Sequence, residues 1–386
     1  MHLTTKEEKI LDGEEGKAKQ KSMQILAALG DIYNADKLIP VTSAHVSGVS
    51  YKTIGDAGLE FLDDFAKDAK VCVKTTLNPC GMDLKNWKKQ KIPVNFAKKQ
   101  LKIIDCFKRM GVEESYTCVP YLTTNRPEFG EHISWAESSA VCFANSMLGA
   151  RTNRESGISA LASAIIGKTP NYGLHLDENR IAKVEVRVDA RLNSTRDYSA
   201  LGYMIGKKVG TRIPAFKFKR SVTEDQAKAL SAALGVGSCG MFQIEGVTPE
   251  NAADIESRIS INDGDFNDYL KNFTFNKNKK KELIAVGCPH CSLNEIEEIA
   301  GLLKDKKVKK DFWICTSRQI KKLADERGFT EIVEKSGGKI LCDTCMVVTP
   351  VEEIAERVIV NSAKAAYYLP GLAGVEAGFT DLDEMV

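Results

Sequence analysis

The chain has 386 residues, more than one ordinary domain needs and suited to two or three. Its 43% hydrophobic content can fill sizeable cores, and a formal net charge of +2 lacks the basic excess of most nucleic-acid binders. The 11 cysteines follow no regular framework, which argues for a reducing compartment with free thiols, metal ligands or both. The start, MHLTTKEEKILDGEEGK, shows no apolar secretory core, and no run approaches the length of a membrane span. A cytoplasmic protein that engages neither membrane nor nucleic acid is expected. The runs KNWKKQK, NKNKKK and KDKKVKK lack aromatic interleaving and suit a solvated face.

In chain order, Thr4 and Thr5 precede Glu7 and Glu8 at capping-box spacing, so the first segment is predicted helical, with apolar periodicity from Met23 to Leu29. KLIPVTSAHVSGVSY predicts a short strand and a Ser/Gly-rich loop. GLEFLDDFAKDA predicts a helix, KVCVKTTLNPCG a strand and turn, and NFAKKQLKIIDCFKRMG an amphipathic helix closed by Gly111. YTCVPYLTTNRPEFGEH is expected to be strand then loop, and WAESSAVCFANSMLGA a buried helix of small residues. From Ile181 to Ile261 the pattern is mixed, with a strand at VEVRVDARL and helices at DYSALGYMIGKKVG and TEDQAKALSAALGVG.

From Lys281 strand–loop–helix units alternate: KELIAVGCPH into SLNEIEEIAGLLKDKK, DFWICTSR into QIKKLADERGF, and KILCDTCMVV into PVEEIAERVIVNSAKAAYYL. Three such units predict a parallel sheet with right-handed crossovers. Ser292 and Thr349 are N-cap candidates, and Pro350 suits a first helical turn. The polar stretch Phe275 to Lys281 is the best linker. The expected division is an amino-terminal α/β part over 1–210, a mixed segment over 211–280 and a doubly wound part over 281–386.

Cys118, Cys288 and Cys345 each follow an apolar, strand-like run. Carboxyl ends of strands are where open α/β sheets bind ligands, so these thiolates could hold an iron–sulfur cluster. Cys288 with Cys291 and Cys342 with Cys345 also have C-x-x-C spacing. That allows a zinc site, though the gap between the pairs is about three times the usual zinc-ribbon spacer. Cys-Pro-His-Cys at a helix start also allows a redox dithiol. Spacing alone leaves the cluster, the zinc or dithiol protein, and plain buried thiols all open.

Other groups suit an anionic substrate. Gly48 frees backbone N–H groups in Ser47-Gly48-Val49-Ser50, where the Ser50 hydroxyl is either an oxyanion donor or a helix cap. Asn78-Pro79 ends another strand and either meets substrate or builds an Asx turn. Glu137-Ser138 lies among small apolar residues, where a carboxylate is costly unless paired, with Arg151 or Arg154 as the nearby partners. Lys364 either neutralises an anion or lies on the surface. His45, His132 and Asn153 are weaker candidates. Arg151, Arg154 and Arg180 are either anion binders or partners of Glu137, Glu155 and Glu178.

The runs LIPVTSAHVSGVSYKTIGDAGLEFL, TTLNPCGMDLKNW, GEHISWAESSAVCFANSMLGARTNRESG, IIGKTPNYGLHLDENR, GCPHCSL and DTCMVV closely resemble the large subunit of the aconitase X family, from the first helix to the carboxyl terminus. Within it the sequence is most similar to the archaeal two-subunit phosphomevalonate dehydratases; other members are cis-3-hydroxy-L-proline dehydratases. The resemblance implies an aconitase-like α/β fold, parallel sheets flanked by helices, without the small swivelling domain. It implies a hydro-lyase of isoprenoid biosynthesis that dehydrates (R)-5-phosphomevalonate to trans-anhydromevalonate 5-phosphate. It implies a [4Fe–4S] cluster on Cys118, Cys288 and Cys345, and substrate contacts from Gly48, Val49, Ser50, Asn78, Pro79, Glu137, Ser138 and Lys364. It also implies a heterodimer: a separate small subunit would carry the swivelling domain and part of the active site, with a serine as general base.

Overall fold

The computed structural model describes residues 1–273 and 281–386. Most of the expected linker, Phe275 to Lys281, lies outside the described residues. Three all-parallel sheets follow one another along the chain. Among the described residues no helix is long and apolar enough to cross a membrane.

The first sheet is small: β1 (Ser43–Val46) lies between β2 (Lys74–Leu77) and β3 (Ser134–Trp135). Its helices are α1 (Lys17–Ile32), α2 (Tyr51–Phe65), α3 (Val94–Arg109), α4 (Ser138–Phe143) and α5 (Gly157–Ile166). A short helix over Thr5–Leu11 precedes them, closed by the capping box of Thr4 and Glu7. Val94 begins α3 after Pro93, and Gly111 follows its end at φ 85°. The segment around Cys118 departs from expectation, because it is not a strand. Glu113 and Thr117 donate their N–H groups to Thr75 and Leu77 of β2, but Tyr116 between them sits at φ 40°. The Ser115 hydroxyl then takes the Leu77 N–H in place of a backbone carbonyl. The ladder is interrupted, and Cys118 leaves from an irregular loop.

The second sheet has the order β6–β5–β4–β7, from β4 (Ala182–Val188), β5 (Pro214–Phe218), β6 (Gln243–Ile244) and β7 (Ala253–Ile261). Helices α6 (Thr195–Val209) and α7 (Glu224–Val236) pack on each other and on this sheet. The small-residue faces of both helices are buried.

The third sheet has five strands rather than three: β8 (Glu282–Val286), β9 (Asp311–Thr316), β10 (Lys339–Cys342), β11 (Arg357–Val360) and β12 (Glu376–Phe379). Their order, β10–β9–β8–β11–β12, reverses direction beside β8. Successive residues of β8 and β9 feed two different cores: Leu283, Ala285, Trp313 and Cys315 one, Ile284, Val286, Phe312 and Ile314 the other. Both faces are buried, hence the near-continuous apolar runs. Helices α8 (Leu293–Leu303), α9 (Arg318–Glu326) and α10 (Phe329–Ser336) cover one face; α11 (Ala363–Ala373) and the second sheet's core lie on the other. Ser292 caps α8 with Glu295 in a capping box. The helix expected from Pro350 is only a 3₁₀ turn over Val351–Glu353. The β-branched Val358-Ile359-Val360 run beyond it is wholly buried and pairs with β8, overriding the helical spacing before it.

Candidate functional site

Open α/β sheets bind ligands where strand order reverses, just beyond the carboxyl ends. Here that point lies between β8 and β11, whose following loops carry Cys288 and Ser362. Gly287, at φ 100°, sits so close to the Cys315 carbonyl that any side chain would overlap it. The backbone therefore turns immediately before Cys288.

Cys118 and Cys345 come to the same place from elsewhere. Cys118, Cys288 and Cys345 are each close enough to another of the three for its charge to be felt, and Lys364 acts on all of them. Burial is the largest influence and pushes each thiol up to about 12. Hydrogen-bond donors already reach the sulfurs. The His290 N–H lies 3.2 Å from Cys118 Sγ, Ser362 donates to Cys288, and the Val347 and Val348 N–H groups approach Cys345. Tyr121 and Thr344, which flank this region, have buried hydroxyls with no partner among the described residues.

This donor set fits an iron–sulfur cluster better than one zinc ion. Thiolates on one zinc crowd to about 3.8 Å from one another, given the ordinary Zn–S length and tetrahedral geometry. Among the described residues no three or more His, Cys, Asp or Glu side chains are placed to hold one metal ion. A cluster seats each thiolate on a different iron and needs no such single-ion geometry. Within the C-x-x-C pairs the surroundings differ. Cys342 faces Asp343, Asp83 and Arg318, while Cys291 lies toward Glu295 and Lys228 and also feels Cys118.

Beside the thiols lies a buried ionic network. Glu137, the N-cap of α4, pairs with Lys364 of α11, 227 residues away in sequence. Asn78 Nδ2 donates to Glu137 Oε2 at 2.7 Å, and Ser139 Oγ to Oε1 at 3.0 Å. Burial alone would raise the Glu137 carboxyl, but Lys364 and these donors outweigh it and hold it at about 2. The same pairing keeps Lys364 firmly charged despite burial. Behind Asn78, His45 Nε2 lies 3.4 Å from Asn78 Oδ1 and Nδ1 lies 2.8 Å from Thr76 Oγ1. Because the Asn78 amide nitrogen must face a carboxylate, its oxygen faces His45, which therefore carries its proton on Nε2. Burial, opposed by Glu137, lowers His45 to about 4, in keeping with a neutral ring.

The Ser47–Ser50 loop adjoins the third sheet. Ser50 caps α2 through Lys52 N–H, and its hydroxyl donates to the Val348 carbonyl at 2.8 Å. Gly48 has φ 74°, and Val49 is buried with its carbonyl bonded to Gln100. Gly157, which begins α5, touches the Ser47 carbonyl where a side chain would clash. After Asn78-Pro79, Cys80 N–H donates to the Asp343 carbonyl at 2.8 Å. Ser138 lies at the start of α4 beside Glu137.

The arginine pairings expected nearby are replaced by others. Arg151 pairs with Asp177 and Arg180 with Glu250, while Arg154 donates to the Gly235 carbonyl at 3.0 Å. Arg151 and Arg154 thus give way to Lys364 as the partner of Glu137, a residue no local spacing could propose. His132 meets His175 at 3.0 Å, and Asn153 bonds Tyr172 and Leu174. Sequence reasoning gave no role to His290, whose only signal was its place inside Cys-Pro-His-Cys.

Residues 1–178, 182–271 and 281–386 match the family descriptions "Aconitase X first domain", "Aconitase X second domain" and "Aconitase X third domain". The chain belongs to the aconitase X family. It is 52% identical to the phosphomevalonate dehydratase large subunit of Methanocaldococcus jannaschii, over the whole of this chain and 99% of that one. It is 34% identical to the cis-3-hydroxy-L-proline dehydratase of Pseudomonas aeruginosa, over 97% of this chain but only 67% of that longer relative. A crystal structure of Thermococcus kodakaraensis aconitase X in its holo-form superposes with a TM-score of 0.92, at 46% identity, covering all of this chain and 98% of that one. The expected aconitase X α/β architecture of parallel sheets flanked by helices is therefore the observed one.

Proposed function

We propose that this chain is the large subunit of a two-chain phosphomevalonate dehydratase, converting (R)-5-phosphomevalonate to trans-anhydromevalonate 5-phosphate and water. The observation that carries the reading is the meeting of three buried thiols from three loops beside the Glu137–Lys364 pair. Full-length similarity to phosphomevalonate dehydratase large subunits supports the substrate. The word "large" in those names supports a small partner subunit, which would complete the site and bring the general base. Cys118, Cys288 and Cys345 would hold a [4Fe–4S] cluster.

The reaction removes a proton beside the substrate carboxylate and expels hydroxide from the neighbouring carbon. When bound, the cluster supplies a Lewis-acidic iron that makes hydroxide a better leaving group. The protein's own residues hold the acid in place while charge builds on its carboxylate. Lys364 has three N–H donors, of which Glu137 and Ser139 take two, leaving one for a substrate oxygen. Asn78 is fixed between His45 and Glu137, so it offers a rigid amide edge rather than a rotating one. Gly48, Val49, Ser50, Pro79 and Ser138 would supply the remaining substrate contacts, with backbone N–H groups at Gly48 and Val49 suited to an anion. Glu137 is too acidic to take a proton near neutral pH, so it orients Lys364 and Asn78.

The test is an assay of the anaerobically reconstituted two-chain enzyme with (R)-5-phosphomevalonate and with cis-3-hydroxy-L-proline. Turnover of the phosphorylated acid is expected. Turnover of hydroxyproline alone would replace this substrate assignment.

A further inference from the structure

Each of the three cysteines offered to the cluster comes from a different loop, and one residue touches all three loops. His290 is wholly buried. Its Nδ1 lies 3.1 Å from Thr117 Oγ1, next to Cys118. Its Nε2 lies 2.9 Å from the carbonyl of Thr344, next to Cys345. Its main-chain N–H lies 3.2 Å from Cys118 Sγ, and it stands two positions after Cys288. Its own carbonyl accepts from Lys228 Nζ of α7 at 3.1 Å.

These contacts fix the tautomer. The Thr344 carbonyl can only accept, so the proton is on Nε2. Nδ1 then accepts from the Thr117 hydroxyl, which in turn accepts the Val119 N–H at 3.2 Å. Every polar atom of His290 is used, by three segments: Thr117–Cys118, the Thr344 loop and α7.

We infer that His290 is a positioning residue that ties the Cys118, Cys288 and Cys345 loops together and sets the spacing of their sulfurs. The inference rests on the assignment of those cysteines as cluster ligands. A neutral imidazole suits the task because its two nitrogens point in opposed directions, one donating and one accepting. Residues that orient metal ligands without touching the metal commonly change metal retention by about 10–100-fold when removed.

The test reconstitutes the full chain with ferrous iron and sulfide and compares wild type, His290→Ala, His290→Gln and Thr117→Val. The readouts are iron bound per chain, the rate of iron loss to a chelator, and the electron paramagnetic resonance line shape after one-electron reduction with dithionite. His290→Ala should lose iron at least about ten times faster than wild type, with an altered line shape. His290→Gln, which keeps one donor and one acceptor, should recover much of the retention. Thr117→Val is isosteric and removes only the hydroxyl, so it keeps the question open to measurement should His290→Ala fail to fold; faster iron loss is expected from it too. Unchanged loss rates and line shapes in the folded variants would overturn the role of His290. A wild-type chain that takes up no iron would overturn the cluster assignment beneath it.

Discussion

Two buried groups of ionisable side chains lie side by side, and they solve the cost of burial in opposite ways. Glu137 and Lys364 cancel each other's charge within the chain, with Asn78 and Ser139 satisfying the remaining oxygen sites. The thiols of Cys118, Cys288 and Cys345 have no such internal counter-charge beyond the shared Lys364, and burial keeps their protons on. One region is complete as folded and holds its charges with or without a ligand. The other stays neutral until cations replace its protons. Under the proposed function, the charged pair orients a substrate and the neutral buried thiols receive a metal centre.

The contrast can be broken most sharply at the thiols. Cys288→Ser should abolish stable iron binding and lower dehydratase activity by about three orders of magnitude or more, as loss of several kcal/mol of Lewis-acid stabilisation requires. Its folding stability should change little, because a neutral thiol is replaced by a small neutral group. Iron analysis and thermal denaturation of the same sample check both halves. Lys364→Met should do the reverse to stability, costing about 3–5 kcal/mol by leaving a buried carboxylate unpaired. The double variant Glu137→Gln/Lys364→Met should regain most of that loss in denaturant titrations while remaining inactive.

Acid sharpens the comparison further. The Glu137 carboxyl is held at about 2, below its ordinary value near 4.5, so its contribution is fully present above the ordinary value and is lost as pH falls toward the folded one. Glu137→Gln should therefore flatten the stability curve between about pH 4.5 and 2, and Cys288→Ser should leave its shape unchanged. The smallest effect is expected at Ser50→Ala, which removes a helix cap and the bond to the Val348 carbonyl. A loss of about 1 kcal/mol is expected, with a raised KM for the phosphorylated acid.

The two regions also differ in how much of them the sequence discloses. The third sheet's buried strands announce themselves as apolar runs, and Cys288 is legible at the end of one of them. Arg357–Val360 is less so, because Val351, Ile354, Ala355 and Val358 mimic helical spacing up to the point where the β-branched run begins. Cys118 is legible as a loop-entry cysteine but not as one leaving an interrupted ladder, since nothing in the pattern marks Tyr116 for a positive φ. The ionic region is the harder one. Its central pair joins residues 227 positions apart, while local spacing points Glu137 toward Arg151 and Arg154, which the fold gives to Asp177 and the Gly235 carbonyl. Residue types expose the need for a partner; only the topology chooses which one. The small-residue helices illustrate the same limit, since their composition predicts burial but not that α6 and α7 would pack against each other.

The most direct measurement is anomalous diffraction at the iron absorption edge from anaerobically grown crystals of the reconstituted protein. A compact iron peak bonded to the sulfurs of Cys118, Cys288 and Cys345, adjoining Lys364, is the predicted result. Iron bound at other residues, or a zinc signal on Cys288, Cys291, Cys342 and Cys345, would contradict it.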